Sequence, residues 1–146
     1  MINSRDIKDL HPKLQELCHL FIAECEKAGI KVVITSTYRD FAAQTALYAQ
    51  GRTMPGKIVT KAKAGESVHN YRLAFDFAPL IEGKIAWNNT QLFTTCGKIA
   101  EKCGLEWGGS WKSFKDLPHC QYTEGLSIAD LKSGKMIADK EIRSPK

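Results

Sequence analysis

One acid inside an apolar run sets the hardest condition on this chain. Leu73-Ala74-Phe75-Asp76-Phe77-Ala78 reads as a core strand with a carboxylate at its middle. Burying a carboxylate is costly unless it is paired or binds a metal. Side chains alternate along a strand, so Asp76 shares a face with Ala74 and Ala78, opposite Leu73, Phe75 and Phe77. Those small neighbours leave room for an ion or a substrate. The competing reading is a buried Asp paired with Arg72 or a backbone amide, and the run alone favours neither.

The rest of the chain supplies a core around that strand. Its 146 residues suit one domain, and a chain of this size buries about 70% of its unfolded surface without needing disulfides. Hydrophobic residues at 43% and charged residues at 25% exclude disordered, collagen-like and coiled-coil classes. A helix is expected over 12–28, with Pro12 in its first turn, Gly29 just past its end, and Leu14, Leu17, Phe21, Ile22 and Cys25 on one face. Lys31-Val32-Val33-Ile34-Thr35 reads as a strand. Asp40 caps a second helix over 41–50. Residues 51–67 form a long loop rich in Gly, Lys and Thr, of a kind usually functional or mobile.

Beyond the loop, the core strand covers 73–77, and a turn at Glu82-Gly83-Lys84 leads to a short strand near Ile85. A third helix covers 90–103. Leu105-Glu106-Trp107-Gly108-Gly109-Ser110-Trp111 is a strand entering a glycine-rich turn, residues 118–122 form a last strand, and residues 127–131 a short helix. Helices and short strands mix without regular βαβ alternation, which indicates an α+β fold. The expected organisation is one compact domain over 1–131 and a basic C-terminal tail over 132–146 that carries Lys132, Lys135, Lys140, Arg143 and Lys146.

Five cysteines, Cys18, Cys25, Cys96, Cys103 and Cys120, form no CxxC pair. With an odd count and no signal-type stretch after the polar N-terminus, reduced thiols acting as small buried hydrophobes are expected. No apolar run approaches the roughly 20 residues that span a bilayer. The expectation is synthesis in a cytoplasm without an export signal. The net charge of +5 favours anionic partners, including an acidic cell wall.

Of four histidines, His69 and His119 have informative neighbours; His11 at a helix start and His19 on the first helix do not. His69 lies seven residues before Asp76, on the opposite side of a straight strand, so a bend at Asn70-Tyr71-Arg72 is needed to bring them together. His119 follows Pro118, which keeps it out of a helix interior. Two imidazoles and one carboxylate make a three-ligand zinc site with an open position. Asp116, across a tight turn from His119, suits a proton acceptor beside it. Arg39, at a strand end, suits a group that stabilises a developing oxyanion; a salt bridge with Asp40 is the ordinary alternative.

Taken together these segments resemble the VanY-like zinc D,D-peptidase superfamily, and more closely its L-alanyl-D-glutamate peptidase branch. The shared pattern is S-x-H, a D seven residues after the His, and a distal D-x-x-H, here Ser67, His69, Asp76, Asp116 and His119. Thr35-Ser36-Thr37-Tyr38-Arg39 with Gln44, Leu47, Tyr48 and Gln50-Gly51-Arg52 matches that branch. So do Ser67-Val68-His69-Asn70-Tyr71 and Glu106-Trp107-Gly108-Gly109-Ser110-Trp111-Lys112-Ser113-Phe114. The likeness covers residues 10–131. Three positions depart from it: Arg72 where Gly is common, Phe75 where a smaller aliphatic residue is common, and Cys120 where an aromatic is frequent.

The resemblance implies a small antiparallel sheet flanked by helices (a Hedgehog/D,D-peptidase-like fold). It implies Zn2+ on His69, Asp76 and His119, Asp116 as general base, and Arg39 on the substrate carbonyl. Ser67, Tyr38 and Trp111 are the further substrate-binding candidates, and Arg72 a possible influence on specificity. The implied activity is hydrolysis of the L-alanyl-D-glutamate bond of peptidoglycan by a phage or prophage endolysin. Such an enzyme is a monomer held in the host cytoplasm until a holin or similar partner opens the way to the wall. The alternatives are a D-alanyl-D-alanine carboxypeptidase and, from another class, a non-catalytic zinc-containing wall-binding module. Nucleic-acid binding is not expected, because no familiar DNA-reading motif is present, and stable membrane insertion is not expected either.

Overall fold

The computed structural model describes residues 1–138. Lys140, Arg143 and Lys146 of the basic tail lie outside the described residues.

Helix α1 (Pro12–Lys27) begins where His11 Nδ1 accepts from the Lys13 N–H and ends at Ala28. Gly29 follows with φ of +81°, a left-handed turn that glycine adopts without steric cost. The chain reverses into β1 (Lys31–Ser36). Asp40 accepts from Ala43 N–H and starts α2 (Phe41–Ala49). The long loop follows, then a short 3-10 turn (Val68–Tyr71) and β2 (Ala74–Ile81). β3 (Lys84–Ile85) closes a hairpin on β2, and α3 (Thr90–Lys102) returns across the sheet. β4 (Glu106–Trp107), β5 (His119–Gln121) and α4 (Ile128–Lys132) complete the described chain.

The strand order is β1-β2-β5-β4, with β3 paired to β2, and every pairing is antiparallel. The fold is α+β, a small antiparallel sheet with helices, as expected. β2 runs four residues past Phe77, where the sequence suggested it stops. Pro79 is the reason: it reads as a strand breaker because it lacks an N–H. Here the sheet uses its carbonyl, which accepts from Ala86 N–H at 2.9 Å.

Phe75 and Phe77, fully buried on one face of β2, meet Phe21 of α1 at ring-centroid distances of 5.8 and 5.0 Å. Phe77 also meets Phe93 of α3 at 5.6 Å. Aromatic pairs at these separations add about 0.5–1.5 kcal/mol beyond area burial. Phe75, the departure from a smaller residue, thus fills the seam under α1. The fully buried Cys18, Cys25, Cys96 and Cys120 belong to the same core. Burial pushes the Cys18 thiol up to about 12, as befits an inert hydrophobe. Ile137, in the stretch read as tail, is 1% exposed and packs into this core. No described helix is long and apolar enough to cross a membrane.

Trp107 links the core to the loop that follows it. Its ring lies where a Cβ on Gly97 or Gly109 would come within 2.1 or 2.2 Å of ring carbons. Its Nε1 donates to the Leu117 carbonyl at 2.7 Å. A Cβ on Gly108 would meet the Asp116 carbonyl at 2.4 Å. The Trp-Gly-Gly stretch is therefore a packing requirement that seats residues 108–117. Gly97→Ala should destabilise the fold by about 1–3 kcal/mol through overpacking against Trp107, although alanine is favoured over glycine in a helix by about 1 kcal/mol. Urea unfolding of the two proteins measures the difference.

Candidate active site

The register of the sheet builds the site. Asp76 on β2 lies directly opposite His119 on β5, and Ser36 on β1 faces Asp76 from the other side. Directly opposed residues of antiparallel strands project to the same face, so one row across three strands carries a hydroxyl, a carboxylate and an imidazole. His69 reaches this row from the 3-10 turn. Ser67 caps that turn by accepting from His69 N–H at 3.2 Å, and Asn70 completes the capping box. Arg72 ends it in the left-handed region, φ +67°. This is the bend required between His69 and Asp76, and the backbone conformation explains why glycine suits position 72.

His69 Nε2 stands 3.1 Å from Asp76 Oδ1, and His119 Nδ1 stands 3.4 Å from the same oxygen. One donor atom from each of the three residues lies within 4.8 Å of the others, the only such group of His, Cys, Asp and Glu among the described residues. Both rings are engaged from behind. His69 Nδ1 meets the Thr37 main-chain oxygen at 2.8 Å, and His119 Nε2 meets Gln121 Oε1 at 2.7 Å. Oxygen acceptors there call for N–H on those outer nitrogens, which leaves the inner nitrogens as lone pairs facing a carboxylate. Such an arrangement is repulsive without a cation. The donor set therefore fits a divalent metal with two neutral imidazoles and one carboxylate.

The electrostatics agree. Burial alone would raise the pKa of Asp76, but the charge and hydrogen bonds of His69 and His119 hold it far below the usual carboxylate range. Burial would lower that of His119, yet Asp76, Gln121 and Asp116 raise it on balance.

Arg39 does not pair with Asp40, whose carboxylate caps α2 and accepts from Ile2 N–H at 2.8 Å. Its Nη1 donates to Gln44 Oε1 at 2.9 Å and its Nη2 to Ser36 Oγ at 3.3 Å, while Nε is buried without an acceptor. Burial lowers the guanidinium's pKa, and Asp76 and Asp116 counter that. Asp116 sits at the rim. Crowding on its protein side raises its pKa, with His119, His69 and Arg39 pulling it down and Asp76 pushing it up. The Trp111 ring centroid is 5.2 Å from that of His119. The Ser67 hydroxyl proton has no acceptor among the described residues. Tyr38 makes no described contact with the three ligands; its ring carries the Arg72 guanidinium at 3.8 Å. Arg72 donates to the Asp9 carbonyl at 2.7 Å. It pairs with no carboxylate among the described residues, contrary to one reading of the sequence.

A family model described as D-alanyl-D-alanine carboxypeptidase, of the M15 peptidases, matches residues 60–122. That stretch holds His69, Asp76, Asp116 and His119. The chain is 45% identical over 122 residues to the peptidoglycan L-alanyl-D-glutamate endopeptidase CwlK of Bacillus subtilis (strain 168), covering 77% of this chain and 73% of that protein. The chain belongs to the M15 peptidase family. The crystal structure of the Serratia marcescens L-Ala D-Glu endopeptidase ChiX has the same fold, with a TM-score of 0.64, 22% identity, and coverage of 89% of this chain and 92% of that one.

M15 peptidases are metal-dependent, and in this member the metal-fitting group rests on residues that sequence reasoning passed over. Gln44, noted only as part of a motif, is fully buried; it accepts from Arg39 and donates to the Ala62 carbonyl at 2.8 Å, tying Arg39 to the long loop. Thr37 acts through its main-chain oxygen, which no side-chain pattern announces. Gln121 stands two residues after His119, the spacing that puts both on one strand face, so its signal was present.

Metal that binds only the folded chain adds to its stability, by about 4 kcal/mol when free metal is ~1,000-fold above Kd. Calorimetry should show a lower Tm after chelation and recovery on adding a divalent ion. His69→Ala should remove that response. A wild-type Tm insensitive to metal would refute the ligand assignment.

Proposed function

We propose that this M15 peptidase is a zinc enzyme that hydrolyses the stem peptide of peptidoglycan at the L-alanyl-D-glutamate bond. The observation that carries the proposal is the group His69, Asp76 and His119, with both outer ring nitrogens already engaged and the inner ones turned to one carboxylate oxygen. The likeness to CwlK supports the choice of bond. Zinc suits a tetrahedral set of two imidazoles and a carboxylate with one position left open.

When bound, the ion would supply Lewis acidity and make water a nucleophile near neutral pH. The chain's own groups account for the rest. Asp116, at the rim, takes the proton of the attacking water and passes it to the leaving amine as the C–N bond breaks. Arg39, with an unpartnered Nε and an anchor in Gln44, donates to the carbonyl oxygen as negative charge develops there. Trp111 walls the site beside His119, and the Ser67 hydroxyl offers its proton to a substrate acceptor. Tyr38 enters indirectly, as the shelf for Arg72 behind the 3-10 turn. The products are a new carboxylate on L-alanine and a new amine on D-glutamate.

The wider setting belongs to the same proposal: a monomeric phage or prophage endolysin, held in the host cytoplasm and dependent on a holin or similar partner to reach the wall. Its catalytic unit spans 1–131 and is followed by the basic stretch 132–146, of which Ile137 packs into the core. The family model's own description favours one second reading, a D-alanyl-D-alanine carboxypeptidase using the same groups. A structural zinc in a wall-binding module normally has four protein ligands, and three are grouped here.

Mass spectrometry of purified peptidoglycan digested by the zinc-loaded protein is the deciding experiment. New glutamate N-termini, abolished by chelator and restored by zinc, are expected; release of terminal D-alanine instead would select the second reading. Asp116→Asn should keep zinc and lose about 10²–10⁴ in turnover. Arg39→Met should lose about 10²–10³ with metal retained. Full activity in Asp116→Asn would remove that residue from the mechanism.

A further inference from the structure

The two imidazoles are held from behind by unlike partners. The Thr37 main-chain oxygen behind His69 is present whatever side chain stands there. The partner of His119 is the side-chain amide of Gln121, which accepts at one end and donates at the other. Alone, such an amide can turn either end to the ring and fixes no tautomer.

Glu106 removes that freedom. Its Oε1 accepts from Gln121 Nε2 at 3.3 Å, and its Oε2 accepts from the Thr123 hydroxyl at 3.0 Å. A carboxylate only accepts, so the Gln121 NH2 must face Glu106 and its oxygen must face His119. An oxygen against Nε2 requires the ring proton there, and Nδ1 is left as a lone pair toward Asp76. The sheet register aligns the parts: Glu106 on β4 lies opposite Gln121 on β5, two residues along from His119, which lies opposite Asp76 on β2. Thr123, 4% exposed, anchors the far end.

We propose that Gln121, oriented by Glu106 and Thr123, is a positioning residue that selects the metal-binding tautomer of His119 and thereby sets the affinity of the site for zinc. The inference rests on the reading of His119 as a ligand. Outer hydrogen-bond partners of metal-bound imidazoles generally contribute about 10- to 100-fold in affinity. Here that contribution is made by side chains for one ligand and by the backbone for the other, so only His119 is open to tuning by substitution.

The test combines chelator-competition titration of Zn2+ with 15N NMR of the histidine rings in metal-free protein, recorded at a pH above the imidazole titration. Gln121→Leu should weaken zinc about 10- to 100-fold and move ring proton from Nε2 to Nδ1 of His119. Gln121→Glu keeps an acceptor for His119 but sets a second carboxylate against Glu106, so its zinc affinity should fall between those of wild type and Gln121→Leu. Glu106→Leu, at an exposed position, should weaken zinc less than Gln121→Leu and yield a mixture of tautomers. A merely structural role would lower the Tm of the metal-free variants and leave the wild-type tautomer in place. Unchanged zinc affinity in folded Gln121→Leu, or His119 still protonated at Nε2, would overturn the proposal. Unchanged affinity in Glu106→Leu would overturn the part given to Glu106. Wild-type protein that binds no zinc would sink the ligand assignment beneath it. Tight zinc binding without wall cleavage would sink the proposed function and leave this inference standing.

Discussion

Asp76 Oδ1 faces two imidazole nitrogens at once, and much of the molecule is arranged to make that tenable. A carboxylate at the middle of a core strand needs a cation beside it and cannot share its face with the large apolar residues of that strand. Phe75 and Phe77 therefore take the opposite face and hold α1 and α3 through Phe21 and Phe93. Ala74 and Ala78, both fully buried, are the small neighbours on the carboxylate's own face. The same alternation that makes β2 the centre of the core makes it the floor of the site.

The flanking parts are fixed by close packing. Trp107 fills the room that side chains on Gly97 and Gly109 would take, and its indole N–H holds Leu117. Gly108 admits the Asp116 backbone at a distance no Cβ would tolerate. The general-base candidate is thus placed by contacts of a tryptophan on the other side of the loop. A packed ring moves little, so this placement is stiffer than loop position alone suggests.

Arg39 is held in a different manner. Its backbone is stitched to the His69 turn, with Arg39 N–H donating to the His69 carbonyl at 3.2 Å and Asn70 Nδ2 donating to the Arg39 carbonyl at 2.8 Å. Its guanidinium leans on Gln44 and Ser36. Gln44 also holds Ala62, so the long loop, the arginine and the metal-fitting turn form one hydrogen-bonded unit.

The sequence by itself determined the elements and the chemical inventory. Asp76 in its apolar run, the S-x-H spacing and the D-x-x-H pair were legible because local pattern and covalent distance restrict them. The helix cap at Asp40 and the helix end at Gly29 were legible for the same reason. What only the tertiary structure decided is which atoms meet. The Asp76–His119 pairing follows from strand register between segments some forty residues apart, and a slip of one residue would turn His119 to the core face. The full length of β2 past Pro79, the inward orientation of Arg39 and the outward stacking of Arg72 on Tyr38 likewise depend on partners brought in from elsewhere. The tautomers of the two rings depend on a main-chain oxygen at Thr37 and on the order of donors and acceptors from Thr123 to Gln121. Hydrogen-bond direction is a property of assembled neighbours, and linear spacing carries no record of it.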